Sequence, residues 1–107
     1  MDQVKIITVE TNTLDFNEVV NLEKDFMTVL RSAPSAILID FKNVEFVDSR
    51  AIGLLVGLYM QSVRKEIAFG VFNLTDDVRY IFKVTAVDTE INVYENEKEA
   101  LEKIQKE

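Results

Sequence analysis

The sequence predicts an α/β fold, one open and mainly parallel β-sheet of four to five strands with about four α-helices packed on it. Three observations lead there. β-branched apolar runs recur at four places, the intervals between them carry the apolar spacing of amphipathic helices, and 107 residues that are 48% hydrophobic, with three Gly and one Pro, supply a core without disulfides or metal. Strands alternating with helices pair in parallel through right-handed crossovers, so the whole of residues 1–107 is expected to be a single domain.

The first run, Val4 to Val9, reads as a strand. So does Ala36 to Phe41, which follows the single proline. Two later runs, Ala68 to Phe72 and Glu90 to Tyr94, complete the set. Between the first two, Asn17 to Arg31 places Val19, Leu22, Phe26, Val29 and Leu30 on one helical stripe. From Ser49 to Lys65 the stripe expected to face the core is Ile52, Leu55, Val56, Tyr59 and Val63, while Leu54, Leu58 and Met60 add apolar surface beside it. A short third helix is expected from Thr75, an N-cap with Asp76 and Asp77 in the positive first turn, through Val78, Ile81 and Phe82. Asn96 with Glu99 three residues on resembles a capping box and opens a last helix that buries Ala100, Leu101 and Ile104.

Composition excludes much chemistry. With no Cys and no His there is no thiol nucleophile, imidazole base, serine-histidine triad or Cys/His zinc site. A net charge of −7 repels phosphate backbones and anionic lipid, so direct nucleic-acid binding is not expected. The amino terminus lacks a basic segment followed by a long apolar one, and no run reaches the length of a membrane span; the chain is read as cytoplasmic, without membrane insertion. Neither a P-loop nor a G-x-G-x-x-G element is present, which argues against a nucleotide-binding enzyme, and no cofactor is implied.

The informative stretch is Phe46 to Tyr59, FVDSRAIGLLVGLY. Ser49 directly precedes the apolar helix, and the common use of such a serine is as N-cap, worth about 1 kcal/mol. The same place has a second use, because free N–H groups and the positive helix end accommodate a phosphate. Phosphorylation of Ser49 would add about −1.5 to −2 of charge at the rim of an apolar helix, with Asp48 repelling it and Arg50 able to pair with it.

The order of elements, the run IDFKNVEFVDS from Ile39 to Ser49 and the spacing D-S-x-x-[IL]-G-x-x-x-G-x-Y over Asp48 to Tyr59 resemble the STAS domain of bacterial anti-sigma factor antagonists, across nearly the whole chain. The resemblance implies the SpoIIAA-like fold. It implies that Ser49 is the phosphorylation site, that Gly53 and Gly57 correspond to the glycines of the helix that follows, and that Leu14-Asp15 lies beside the phosphorylated loop and the bound kinase. By the same resemblance the unphosphorylated protein binds an anti-sigma factor that is a serine kinase of the GHKL type, phosphorylation releases it, and a serine phosphatase resets the cycle. The partner-binding residues implied and read together are Leu14, Asp15, Asp48, Arg50, Ile52, Gly53, Leu54, Gly57 and Leu58. An alternative within the same resemblance is a regulatory or structural STAS subunit in a stressosome-like or transporter-associated complex, in which Ser49 only caps its helix.

Other features carry plainer explanations. Asp15, Asp40, Glu45 and Asp48 fit no EF-hand spacing and are read as solvated strand ends and turns. Leu54, Leu58 and Met60 belong either to a second layer of core or to a partner contact. Gly53 and Gly57 each cost about 1 kcal/mol inside a helix relative to Ala, and suit a place where another backbone, the domain's own sheet or a partner's, comes close.

Overall fold

The computed structural model describes residues 3–105. Four parallel strands, β1 (Val4–Thr8), β3 (Ala36–Asp40), β5 (Ala68–Phe72) and β6 (Asn92–Tyr94), form one sheet in that spatial order. β2 (Thr13–Leu14) and β4 (Phe46–Val47) make a separate two-residue parallel ladder that the sequence pattern did not announce. The helices are α1 (Phe16–Arg31), α2 (Ser49–Arg64), α3 (Asp76–Val84) and α4 (Glu97–Ile104), with a 3₁₀ turn at Val87–Thr89. Among the described residues no helix is long and apolar enough to cross a membrane.

Every residue of β3 is buried, as expected of a central parallel strand covered on both faces. One face carries the larger core, in which Phe26 of α1, Leu55 and Leu58 of α2 and Phe82 of α3 close over Ile37, Ile39, Phe69 and Val71. Ring edges meet there: Phe26 with Phe69 at 6.0 Å between centroids, Phe41 with Phe82 at 5.9 Å. The other face is covered by α4, whose Ala100 and Ile104 pack on Ala36, Leu38, Phe72 and Tyr94.

The last strand begins later than the expected Glu90, because the N–H groups of Glu90 and Ile91 bond back to the carbonyl of Val87 and belong to the 3₁₀ turn. The expected caps of α3 and α4 are present. Thr75 Oγ1 accepts from Val78 N–H at 3.3 Å and Asn96 Oδ1 from Glu99 N–H at 2.9 Å, while the Glu99 carboxylate reaches back to Glu95 N–H. The stripe of α2 is corrected. Its buried line is Ala51, Ile52, Leu55, Leu58 and Ser62, whereas Val63, expected in the core, is 54% exposed.

Three helices end in a left-handed residue that is not glycine. Ala33 (φ 48°), Glu66 (φ 59°) and Ala86 (φ 61°) follow the last residues of α1, α2 and α3. After α2 the arrangement is a full Schellman motif, with Glu66 N–H on Val63 O at 3.0 Å and Ile67 N–H on Ser62 O at 2.8 Å. Gly70 sits in β5 instead, where a Cβ would come within 2.7 Å of the Tyr94 ring. Two changes should therefore move stability in opposite directions in urea unfolding. Glu66→Gly should stabilise by about 1 kcal/mol by removing left-handed strain, and Gly70→Ala should destabilise by about 1–3 kcal/mol through overpacking.

Candidate functional site

The β2/β4 ladder sets two helix starts side by side. Leu14 pairs with Val47, and Asp48 N–H donates to Leu14 O at 3.2 Å, so α1 and α2 begin from adjacent residues of one small ribbon. Each start is capped by the aspartate just before it. Asp15 Oδ1 accepts from Glu18 N–H at 3.0 Å, and Asp48 Oδ1 from Ala51 N–H at 2.9 Å. Ser49 is thus not the N-cap expected from its place before the apolar run. It is the first residue of α2 and exposed, its capping role taken by Asp48.

Two aromatic residues frame this mouth: Phe16, which sequence reasoning passed over, and Phe46, which opens the stretch it singled out. Phe16, the first residue of α1, is 53% exposed, and Phe46 of β4 is 52% exposed. The Arg50 guanidinium carbon lies 5.2 Å from the centroid of the Phe16 ring, a cation–π contact tying the two helix starts together. The signal for Phe16 was present: counted at about 100° per residue, Phe16, Val20 and Met27 share a stripe off the core line of α1, and all three are exposed. The contact with Arg50 places Phe16, at the start of this stripe, beside the first turn of α2.

The remaining expected site residues divide by burial. Leu14 and Leu58 are wholly buried and Ile52 nearly so, so their side chains present little or no surface on this domain and support the mouth from beneath. Leu54 is half-buried and packs on the core, while Met60 is exposed. Asp15 and Asp48 are partly exposed, Arg50 and Gly53 exposed, and Gly57 half-buried. An ideal Cβ at Gly53 or Gly57 meets no atom within 4 Å, so the domain's own sheet is not the neighbour that these glycines accommodate. Asp40 is no solvated strand end either. It is buried, and its Oδ1 accepts from Lys42 N–H at 2.9 Å and from the Asn73 amide at 3.1 Å, fixing the loops after β3 and β5. Among the described residues no group of three His, Cys, Asp or Glu is placed to hold a metal ion.

The model of one protein family, the STAS domain, matches residues 2–100. The chain belongs to the STAS domain family. Solved structures agree with it in fold. An anti-sigma factor antagonist from Mycobacterium paratuberculosis superposes with a TM-score of 0.85 at 25% identity, covering 98% of this chain and 88% of that one. A sulfate transporter family protein from Wolinella succinogenes gives 0.83 at 12% identity, with 95% and 84% covered. The Bacillus cell fate determinant SpoIIAA in its phosphorylated form gives 0.69 at 19% identity, with 97% and 93% covered. No curated protein matches the chain by sequence.

Within this STAS domain the two residues Asp48 and Ser49 have separable roles. Asp48→Ala should lower unfolding free energy by about 1 kcal/mol through loss of the cap, and Ser49→Ala should leave it within about 0.5 kcal/mol. Equal losses in chemical denaturation would return the cap to Ser49.

Proposed function

We propose that this STAS domain is an anti-sigma factor antagonist that holds a kinase-type anti-sigma factor while the Ser49 hydroxyl is free, and lets go once Ser49 is phosphorylated. The observation that carries the reading is the exposed Ser49 at the first position of α2, with its neighbour Asp48 already serving as cap. A serine that is not needed by its own helix is available for modification. Around it lie exposed Phe16 and Phe46 and the open face of Gly53, the apolar and close-approach surface that a protein partner buries.

The switch follows from electrostatics. A phosphate brings about −1.5 to −2 of charge between two aspartates, Asp15 and Asp48, at the rim of an apolar contact. Burying that charge against a partner is strongly unfavourable unless it is paired. Arg50, the next residue along the helix, would be drawn to it at the expense of its place on Phe16, so modification would also loosen the link between the two helix starts. In this account the kinase is a GHKL-type serine kinase, a serine phosphatase restores the hydroxyl, the exchange takes place in the cytoplasm, and the STAS domain itself catalyses nothing.

A second reading is favoured by the likeness to the Wolinella sulfate transporter family protein: a regulatory or structural subunit of a transporter-associated or stressosome-like complex, with no phosphorylation at Ser49. Incubation with the cognate kinase and ATP, followed by mass spectrometry, separates the two. The first reading expects phosphate on Ser49, none on Ser49→Ala, and a Ser49→Asp protein that binds the kinase at least about tenfold more weakly, a loss of about 1.4 kcal/mol. Phosphorylation of Ser49→Ala equal to that of the wild type would defeat the assignment. Recovery of a transporter or a large homologous assembly in a pull-down, with Ser49 unmodified, would favour the second.

A further inference from the structure

The sheet has an unpaired side. β1 bonds to β3 alone, and among the described residues no strand lies along its other edge. The ladder shows which backbone groups face outward. Val9 N–H donates to Asp40 O and Gln3 O accepts from Ala36 N–H, so odd-numbered residues bond inward and the N–H and C=O groups of Val4, Ile6 and Thr8 point away from the sheet. Natural sheets cover, shorten or charge such an edge, since it templates the pairing of another chain. Here it is five residues long, and Ile6 in its middle is 38% exposed.

The two hollows beside this edge are lined by carboxylates and by no base. A groove of about 440 Å³ runs between β1 and α1, with Ile6, Thr8, Glu10, Asp25 and Thr28 along it. A second hollow beyond its end adds Glu18 and Asn21 to Glu10 and Asp25. No Lys or Arg lines either. Lys5, the one base of the strand, shares the face of Ile7, which lines the groove, but lies toward the other end of β1 from Glu10 and is not itself among the lining residues.

We propose that the outer edge of β1 is a docking slot for an extended, basic segment of a partner protein, which adds to the four-stranded sheet as one more strand. Main-chain bonds to Val4, Ile6 and Thr8 hold the segment, an apolar residue of it covers Ile6, and its Lys or Arg side chains meet Glu10, Asp25 and Glu18. Charge selects this occupant over a second copy, which would bring the same carboxylates and another −7 to the seam. The proposal is independent of Ser49 and of the kinase.

The test uses the intact chain and two capped nine-residue peptides, one alternating Lys with Val and one alternating Glu with Val, followed by amide hydrogen exchange. The Lys peptide should slow exchange at Ile6 and Thr8 and should weaken at least about tenfold on raising salt from low to physiological strength. The Glu peptide should do neither, and a surface charge reversal, Glu10→Lys with Asp25→Lys, should exchange the two preferences. Equal binding of both peptides, protection confined to other residues, or unchanged preference in the reversed protein would overturn the proposal. So would a dimer that protects Ile6 and Thr8 with no peptide present.

Discussion

The hydrogen bond from Asp48 N–H to Leu14 O, with the two-residue ladder it closes, is the constraint on which the site depends. It forces α1 and α2 to start at neighbouring points, and two helix starts so close together place two sets of free N–H groups and two positive dipole ends in one small volume. Asp15 and Asp48 answer that arrangement by capping each helix with a carboxylate. Ser49, relieved of capping, is left at the surface beside Asp48, with Arg50 drawn across to Phe16. The buried Leu14, Ile52 and Leu58 act through this geometry by anchoring the ribbon and the helix to the sheet.

The placing of glycine tells the same story from another direction. Ala33, Glu66 and Ala86 occupy left-handed positions where glycine would relieve strain, yet two of the three glycines lie inside α2, where a helix is weakened by them. Gly70 has an internal reason in the Tyr94 ring; Gly53 and Gly57 have none, since a methyl group at either would touch nothing. A weakness of about 1 kcal/mol per position on the solvent face of one helix is understandable if something outside the domain lies there. The STAS family membership and the likeness in fold to an anti-sigma factor antagonist are consistent with a protein partner.

Much of the fold was legible in the sequence because its signals are redundant. The β-branched runs at Val4 and Ala36 and the apolar stripe through Val19, Leu22, Phe26 and Leu30 report strands and helix independently of context, and Thr75 and Asn96 mark helix starts by spacing alone. Where the reading slipped, two adjacent residues offered the same physics. Asp48 and Ser49 are equally good caps, and only the ladder to Leu14 decides between them. The core line of α2 was misjudged because that helix is apolar nearly all round, so periodicity gave small residues such as Ala51 and Ser62 too little weight; Ser62 is buried because its hydroxyl is satisfied by Leu58 O at 3.1 Å. A two-residue ladder has no periodic pattern to read. The exposed Phe16 escaped notice because an aromatic residue in sequence looks like core until its surroundings are known.

If the glycine face of α2 is kept open for another protein, stability and binding must oppose one another there. The direct measurement is a paired one on Gly53→Ala/Gly57→Ala: unfolding free energy of the isolated chain, and affinity for the anti-sigma factor proposed as its partner, by calorimetry. The account predicts a domain more stable by about 1–2 kcal/mol and a complex at least about tenfold weaker. A more stable protein that binds as tightly as before would show that the face is not where the partner lies.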